Sequence, residues 1–221
     1  EDSNQAIDLG TISAAAYFNR GRVHQALGRN EAALADFNEA VGIDSQNDAI
    51  YYSRGQVNEA LGNIEDALAD YYKAIRFNPE DGLIYAARGI IYQDLGRLDE
   101  ALADFNAMVG LNAEDSYALY HRGQIYEVSG RLEEALADYD RVIGLDPQDA
   151  AAFCHRGQTK ASLGRIEEAL IDYNQAVLID PDNRTAYFNR GVINETLGHL
   201  EAARSDFGDA IRLQPQESDA Y

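Results

Sequence analysis

The chain has 221 residues, 46% of them hydrophobic, which is enough for a core and excludes a disordered polymer. Its 38 acidic residues against 18 basic ones give a formal charge of -20, which excludes a nucleic-acid binder because so acidic a surface repels a polyanion. One cysteine, Cys154, excludes an internal disulfide and a thiolate zinc site, and no apolar run reaches the roughly 18 to 20 residues that cross a bilayer.

The opening segment Glu1-Asp2-Ser3-Asn4-Gln5 lacks the basic and apolar regions of a signal peptide. A first complete unit follows it. Tyr17, Gly21 and His24 keep helical spacing up to Gly28, a helix stop, and Ala33, Phe37 and Ala40 do the same beyond it. This predicts two antiparallel helices near 14–27 and 31–43. Glu31 falls in the first turn of the second helix, where the helix dipole favours negative charge.

Every later element repeats this pair at a period of 34 residues. Arg20-Gly21 recurs as Arg54-Gly55, Arg88-Gly89, Arg122-Gly123, Arg156-Gly157 and Arg190-Gly191, with no insertion or deletion. The helix-stop glycine returns at Gly62, Gly96, Gly130, Gly164 and Gly198. An Ala-x-x-Asp-aromatic column runs from Ala33/Asp36/Phe37 to Ala203/Asp206/Phe207, and Pro79, Pro147, Pro181 and Pro215 mark where second helices have ended. The predicted repeats are 14–47, 48–81, 82–115, 116–149, 150–183 and 184–217. In the same phase, residues 1–13 read as the end of a preceding repeat and 218–221 as the start of a further one, so an excerpt of a longer array is expected.

The aromatic, glycine, Ala-x-x-x-aromatic and proline columns together resemble the tetratricopeptide repeat (TPR), in an Arg-Gly variant, over essentially the whole chain. The family's Trp is replaced by Tyr17, Tyr51, Tyr85, Leu119, Phe153 and Tyr187, its proline by Ser45 and Ala113 in two copies, and its leucine before the glycine by arginine. The resemblance implies an all-α fold, an α-α superhelix of about six helix-turn-helix repeats, with a concave groove lined by the first helices. The apolar faces by themselves require that neighbouring copies stack.

Carried over column by column, the family's peptide-contacting positions fall on Phe18, Asn19, Arg22, Tyr52, Gln56, Tyr120, His121, Gln124, His155, Gln158, Phe188 and Asn189. This lining is rich in rings and amides, which supply contact area and satisfy a peptide backbone. The lysines and asparagines with which some relatives clamp acidic tails are largely missing, and a groove asparagine ladder known from another branch is broken by Ser53, Ala87, His121 and His155. His121 and His155 stand one period apart, roughly 8 to 10 Å if they sit on neighbouring packed helices, too far to share a metal unaided. No metal or other cofactor, no catalytic residue and no phosphate loop is expected, and Cys154 reads as small apolar filler.

The expected role is a protein–protein interaction scaffold holding a peptide or a folded partner, favouring basic segments, in the groove. The alternatives are a homo-oligomeric assembly module and the substrate-recruiting arm of a larger enzyme. A cytoplasmic setting without membrane insertion by this segment is expected. The arginine column shares its period with Asp36, Asp70, Asp104, Asp138, Asp172 and Asp206, which predicts a ladder of Arg–Asp pairs within or between repeats.

Overall fold

The computed structural model describes residues 13–213, and among them it contains twelve α-helices and no strand. They are α1 (Ala14–Ala26), α2 (Asn30–Ile43), α3 (Asp48–Ala60), α4 (Ile64–Phe77), α5 (Gly82–Asp94), α6 (Leu98–Leu111), α7 (Ser116–Val128), α8 (Leu132–Leu145), α9 (Ala150–Ser162), α10 (Ile166–Ile179), α11 (Arg184–Thr196) and α12 (Leu200–Arg212). The partial repeat expected at the C-terminus and all but Ser13 of the one expected at the N-terminus lie outside the described residues, as does Pro215. By internal contacts the chain divides into two compact units, Glu1–Leu111 and Asn112–Tyr221, each with three described helix pairs.

The two helices of a pair start differently. First helices are capped by side chains: Ser13, Asn47, Asp81, Asp115, Asp149 and Asn183 each accept a hydrogen bond from a backbone N–H of the first turn. Second helices such as α4, α8 and α10 have no such cap and carry paired acids in the first turn instead, Glu65 and Asp66, Glu133 and Glu134, Glu167 and Glu168. The turn joining the two is set by the recurring glycine, whose φ lies between 69° and 78° in all six pairs, a region closed to most side chains. That conformation lets Arg29 N–H bond back to the His24 carbonyl at 2.9 Å, and α2 then begins at Asn30, one residue earlier than the sequence spacing predicts.

Packing within a pair rests on the Arg-Gly glycines. A Cβ built on Gly21 would stand 2.7 Å from the Phe37 ring, and one on Gly55 would stand 2.7 Å from the Tyr71 ring. Ala33, Ala67, Ala101, Ala135 and Ala169 are fully buried beside them. The absent side chains thus admit the aromatic of the second helix, and the rings form the core.

The arginine preceding each of these glycines forms a two-pronged pair with the aspartate 16 residues later, on the second helix of its own repeat. In the first pair Nε stands 2.8 Å from Asp36 Oδ2 and Nη2 2.5 Å from Oδ1, and Arg54–Asp70, Arg88–Asp104, Arg122–Asp138 and Arg156–Asp172 repeat the fork. Of the two pairings that sequence allows, the structure therefore forms the one within the repeat. Contact with the preceding repeat falls to the remaining nitrogen: Nη1 donates to Asn38 from Arg54, to Asp140 from Arg156 and to Asn174 from Arg190. Aromatic residues one turn away lie against the same guanidinium groups, with Arg54 5.5 Å from the Tyr51 ring centre and Arg190 5.3 Å from that of Tyr187.

Candidate functional site

First helices touch one another in sequence within each unit, α1 with α3, α7 with α9 and α9 with α11, and the carried-over positions lie along these contacts. In the first unit a cavity of about 500 Å³ opens between α1 and α3, bordered by Phe18, Arg22, Gln25, Tyr52, Ser53 and Gln56. Its two rings are held from behind, Phe18 by Phe37 at 5.8 Å and Tyr52 by Tyr71 at 5.9 Å between ring centres. Arg22 is exposed, lies 5.8 Å from the Phe18 ring centre and pairs with no carboxylate among the described residues. Gln25 donates weakly to Gln56 across the two helices at 3.5 Å, and Asn19 is exposed beside them.

In the second unit the predicted residues converge on one network. Tyr120 stands edge-on to both His121 and His155, with ring centres 5.5 Å apart in each case, so a tyrosine bridges the two histidines that the sequence placed one period apart. Tyr117 packs on His121 at 4.3 Å, and Gln124 Nε2 lies 3.4 Å from His155 Nε2. Among the described residues no group of three or more His, Cys, Asp or Glu side chains is arranged to hold a metal. Gln158 is exposed on α9, and Phe188 on α11 is 52% exposed with its ring against Phe207.

Two neighbouring positions on α9 and α11 are partly or wholly withdrawn from solvent, Cys154 as the sequence reading has it. Asn189 is half-buried, and its amide lies close enough to the Cys154 thiol and the Tyr173 phenol to lower both against the opposing effect of burial. Cys154 itself is buried, and burial above all, with Glu127 adding to it, pushes the thiol up to about 11 despite the hydrogen bond from Asn189.

A buried polar layer beneath this surface goes beyond the predicted set. Tyr71 donates its hydroxyl to Glu59 at 2.9 Å and Tyr139 donates to Glu127 at 3.1 Å; burial raises both phenols, and the neighbouring glutamates raise them further. Glu127 also meets His155 Nδ1 at 3.2 Å, while its second oxygen, Oε1, is buried with no partner. Part of the signal was present in the sequence: twelve residues before Tyr71 and Tyr139 stands glutamate, and before Phe37 and Phe105 stands Gln25 or Gln93, although Phe207 has Glu195 at that distance. Tyr173, opposite Ala161, uses Asn189 instead.

Models of the tetratricopeptide repeat match residues 49–81, 86–150, 123–188 and 185–217, and a TPR repeat model matches 21–62. A search of curated proteins gives no match. Among solved structures the chain is similar to YrrB, described as a TPR protein with an unusual peptide-binding site. The two are 30% identical over 84% of this chain and 96% of that one, with a TM-score of 0.76. MamA from Desulfovibrio magneticus shares the fold at 21% identity over 78% and 97% of the two chains, with a TM-score of 0.72. PilF from Pseudomonas aeruginosa does so at 15% identity over 98% and 96%, with a TM-score of 0.74.

Proposed function

The chain belongs to the tetratricopeptide repeat family, and from that premise we propose that it is a non-catalytic interaction scaffold whose first-helix surface holds a peptide segment of a partner protein. The observation that carries this reading is the solvent-open surface of rings and amides on α1, α3, α7 and α9, with a cavity of about 500 Å³ at Phe18 and Tyr52. Aromatics braced from behind offer contact area at low entropic cost, and Gln56, Gln124 and Gln158 can meet backbone amides of any sequence. YrrB, a peptide-binding protein by description, supports the same use of the fold. The charge of -20 favours partners with basic segments. The six Arg–Asp forks hold helix pairs together, which assigns the recurring charge pattern of the repeat to structure rather than to chemistry.

Capture of partners with the whole chain, followed by calorimetry on Tyr52→Ala and Tyr120→Ala, tests the reading one unit at a time. Loss of a central aromatic anchor of about 2 kcal/mol weakens binding by more than about tenfold. Unchanged affinity in both variants, with helical content intact, rules this surface out for that partner. A concentration-dependent mass in solution without a partner would instead favour self-assembly.

A further inference from the structure

A smaller cavity in the second unit, about 310 Å³, lies between the starts of α7 and α9 and is lined by Ser116, Tyr117, Tyr120, Asp149 and Ala151. We propose that this cavity is a subsite for a lysine or arginine side chain of the bound peptide, with the Tyr117 and Tyr120 rings as walls and Asp149 as counter-charge. This rests on the peptide-binding reading above and adds the chemical class of one anchor residue.

Asp149 brings the only charge to the cavity lining. One of its oxygens accepts from Ala152 N–H at 2.9 Å to cap α9, and no cation among the described residues pairs with it, so its full negative charge is offset only by the partial positive end of the helix it caps. The rings are fixed in advance, because His121 packs against both, at 4.3 Å from Tyr117 and 5.5 Å from Tyr120, and Tyr120 also leans on Tyr139 at 6.1 Å. Aromatic faces carry negative potential and attract a cation that comes within about 6 Å of the ring centre. Burial is the largest influence pushing the Tyr120 phenol up to about 12, and the negative charges of Asp149 and Glu127 add to it. The volume admits a guanidinium or ammonium head with its stem.

The first unit supplies an internal contrast. Its cavity at Phe18 and Tyr52 has the same aromatic character, but the charged residue in its lining is Arg22. A cation is therefore attracted at Tyr117 and repelled at Phe18.

The test uses the whole chain labelled for nuclear magnetic resonance and titrated with a capped Gly-Ser-Arg-Ser-Gly peptide and its lysine, citrulline and glutamate versions. The arginine and lysine peptides should saturably shift amides near Tyr117, Tyr120 and Asp149. The uncharged citrulline and the glutamate peptides should bind at least about tenfold more weakly, about 1.4 kcal/mol. Asp149→Asn keeps a capping side chain and removes the charge, so the helix should persist while arginine-peptide affinity falls at least about fivefold. Equal binding of citrulline and arginine peptides, no effect of Asp149→Asn, or absence of saturable shifts at this cavity overturns the subsite. Shifts confined to other first-helix residues overturn the subsite alone, whereas the peptide-binding reading fails only when partner affinity ignores both Tyr52→Ala and Tyr120→Ala.

Discussion

Replacing Arg88 with Met removes one cation from the ladder and keeps an unbranched side chain in its place. Arg88 Nε and Nη2 stand 2.9 and 2.6 Å from the two oxygens of Asp104, with the Asp104 side chain 3% exposed. Burial is the largest influence on Asp104 and lifts its carboxyl above the ordinary range, against the opposing pull of Arg88. Burial works against the guanidinium too, but the hydrogen bonds and charge of Asp104 outweigh it and hold Arg88 above its usual value. Once the cation is gone the pull on Asp104 disappears and the burial remains. Orphaning a buried charge in this way costs about 3 to 5 kcal/mol. That cost appears as a further rise of the Asp104 carboxyl above its already raised position.

The pH dependence follows in sign. A carboxyl with a folded pKa above its unfolded one is protonated preferentially in the native state, so its penalty grows as pH rises through that window and fades as pH falls. Arg88→Met should therefore lose most stability at neutral pH and recover part of the loss relative to the parent at mildly acidic pH. Urea unfolding followed by far-ultraviolet circular dichroism at both pH values measures this, together with Asp104→Asn, Asp70→Asn and the corresponding double variants. The double Arg88→Met/Asp104→Asn variant should be more stable than Arg88→Met alone. The reasoning fails if Arg88→Met stays within about 0.5 kcal/mol of the parent, as an ordinary surface change would. It fails equally if the loss is independent of pH or if Arg88 couples to Asp70.

Gly55→Ala should destabilise more than Gly157→Ala in thermal melts, because the new methyl meets the buried Tyr71 ring at 2.7 Å in one and the Tyr173 ring at 3.1 Å in the other. Overpacking of the first kind costs about 1 to 3 kcal/mol, and the Tyr71 hydroxyl, fixed on Glu59, prevents the ring from swinging clear; the reverse order would show that ring contact does not limit these sites. Cys154 should react with a disulfide reagent at mildly alkaline pH only slowly and become fast in urea, since its thiol is buried and pushed up to about 11. Rapid labelling under native conditions would contradict that burial.

The fold was legible because the period is unbroken: glycines and alanines recur wherever two backbones approach, and any shift of phase would have put Phe37 or Tyr71 on the surface. The capping residues Asn47, Asp81 and Asp149 were not among the signals that located the helices, which were apolar spacing and the glycine stops. The choice of partner for each arginine was not legible, since a helix height fixes which residues are level but not which way a long side chain turns. The surface was only partly legible. Column positions located Tyr120 and His155, but ring-to-ring contacts and the descent of Tyr139 onto Glu127 depend on how far a phenol reaches past its own helix. Asn189, half-buried in a surface column, acts on the Cys154 thiol and the Tyr173 phenol, which column position alone does not reveal.

Both members of every Arg–Asp fork belong to the same 34-residue segment, so each repeat carries its own buried ion pair complete. A gene that duplicates, deletes or shuffles one such cassette brings in or removes a cation and its carboxylate together and leaves no stranded ion in the junction. The contacts left to renegotiate are more exposed ones such as Arg165–Glu133 and the outward Nη1, which meets an amide at Asn38 and Asn174 or a carboxylate at Asp140 without change of the fork. Copy number can thus drift through recombination while the fold of each cassette stays intact.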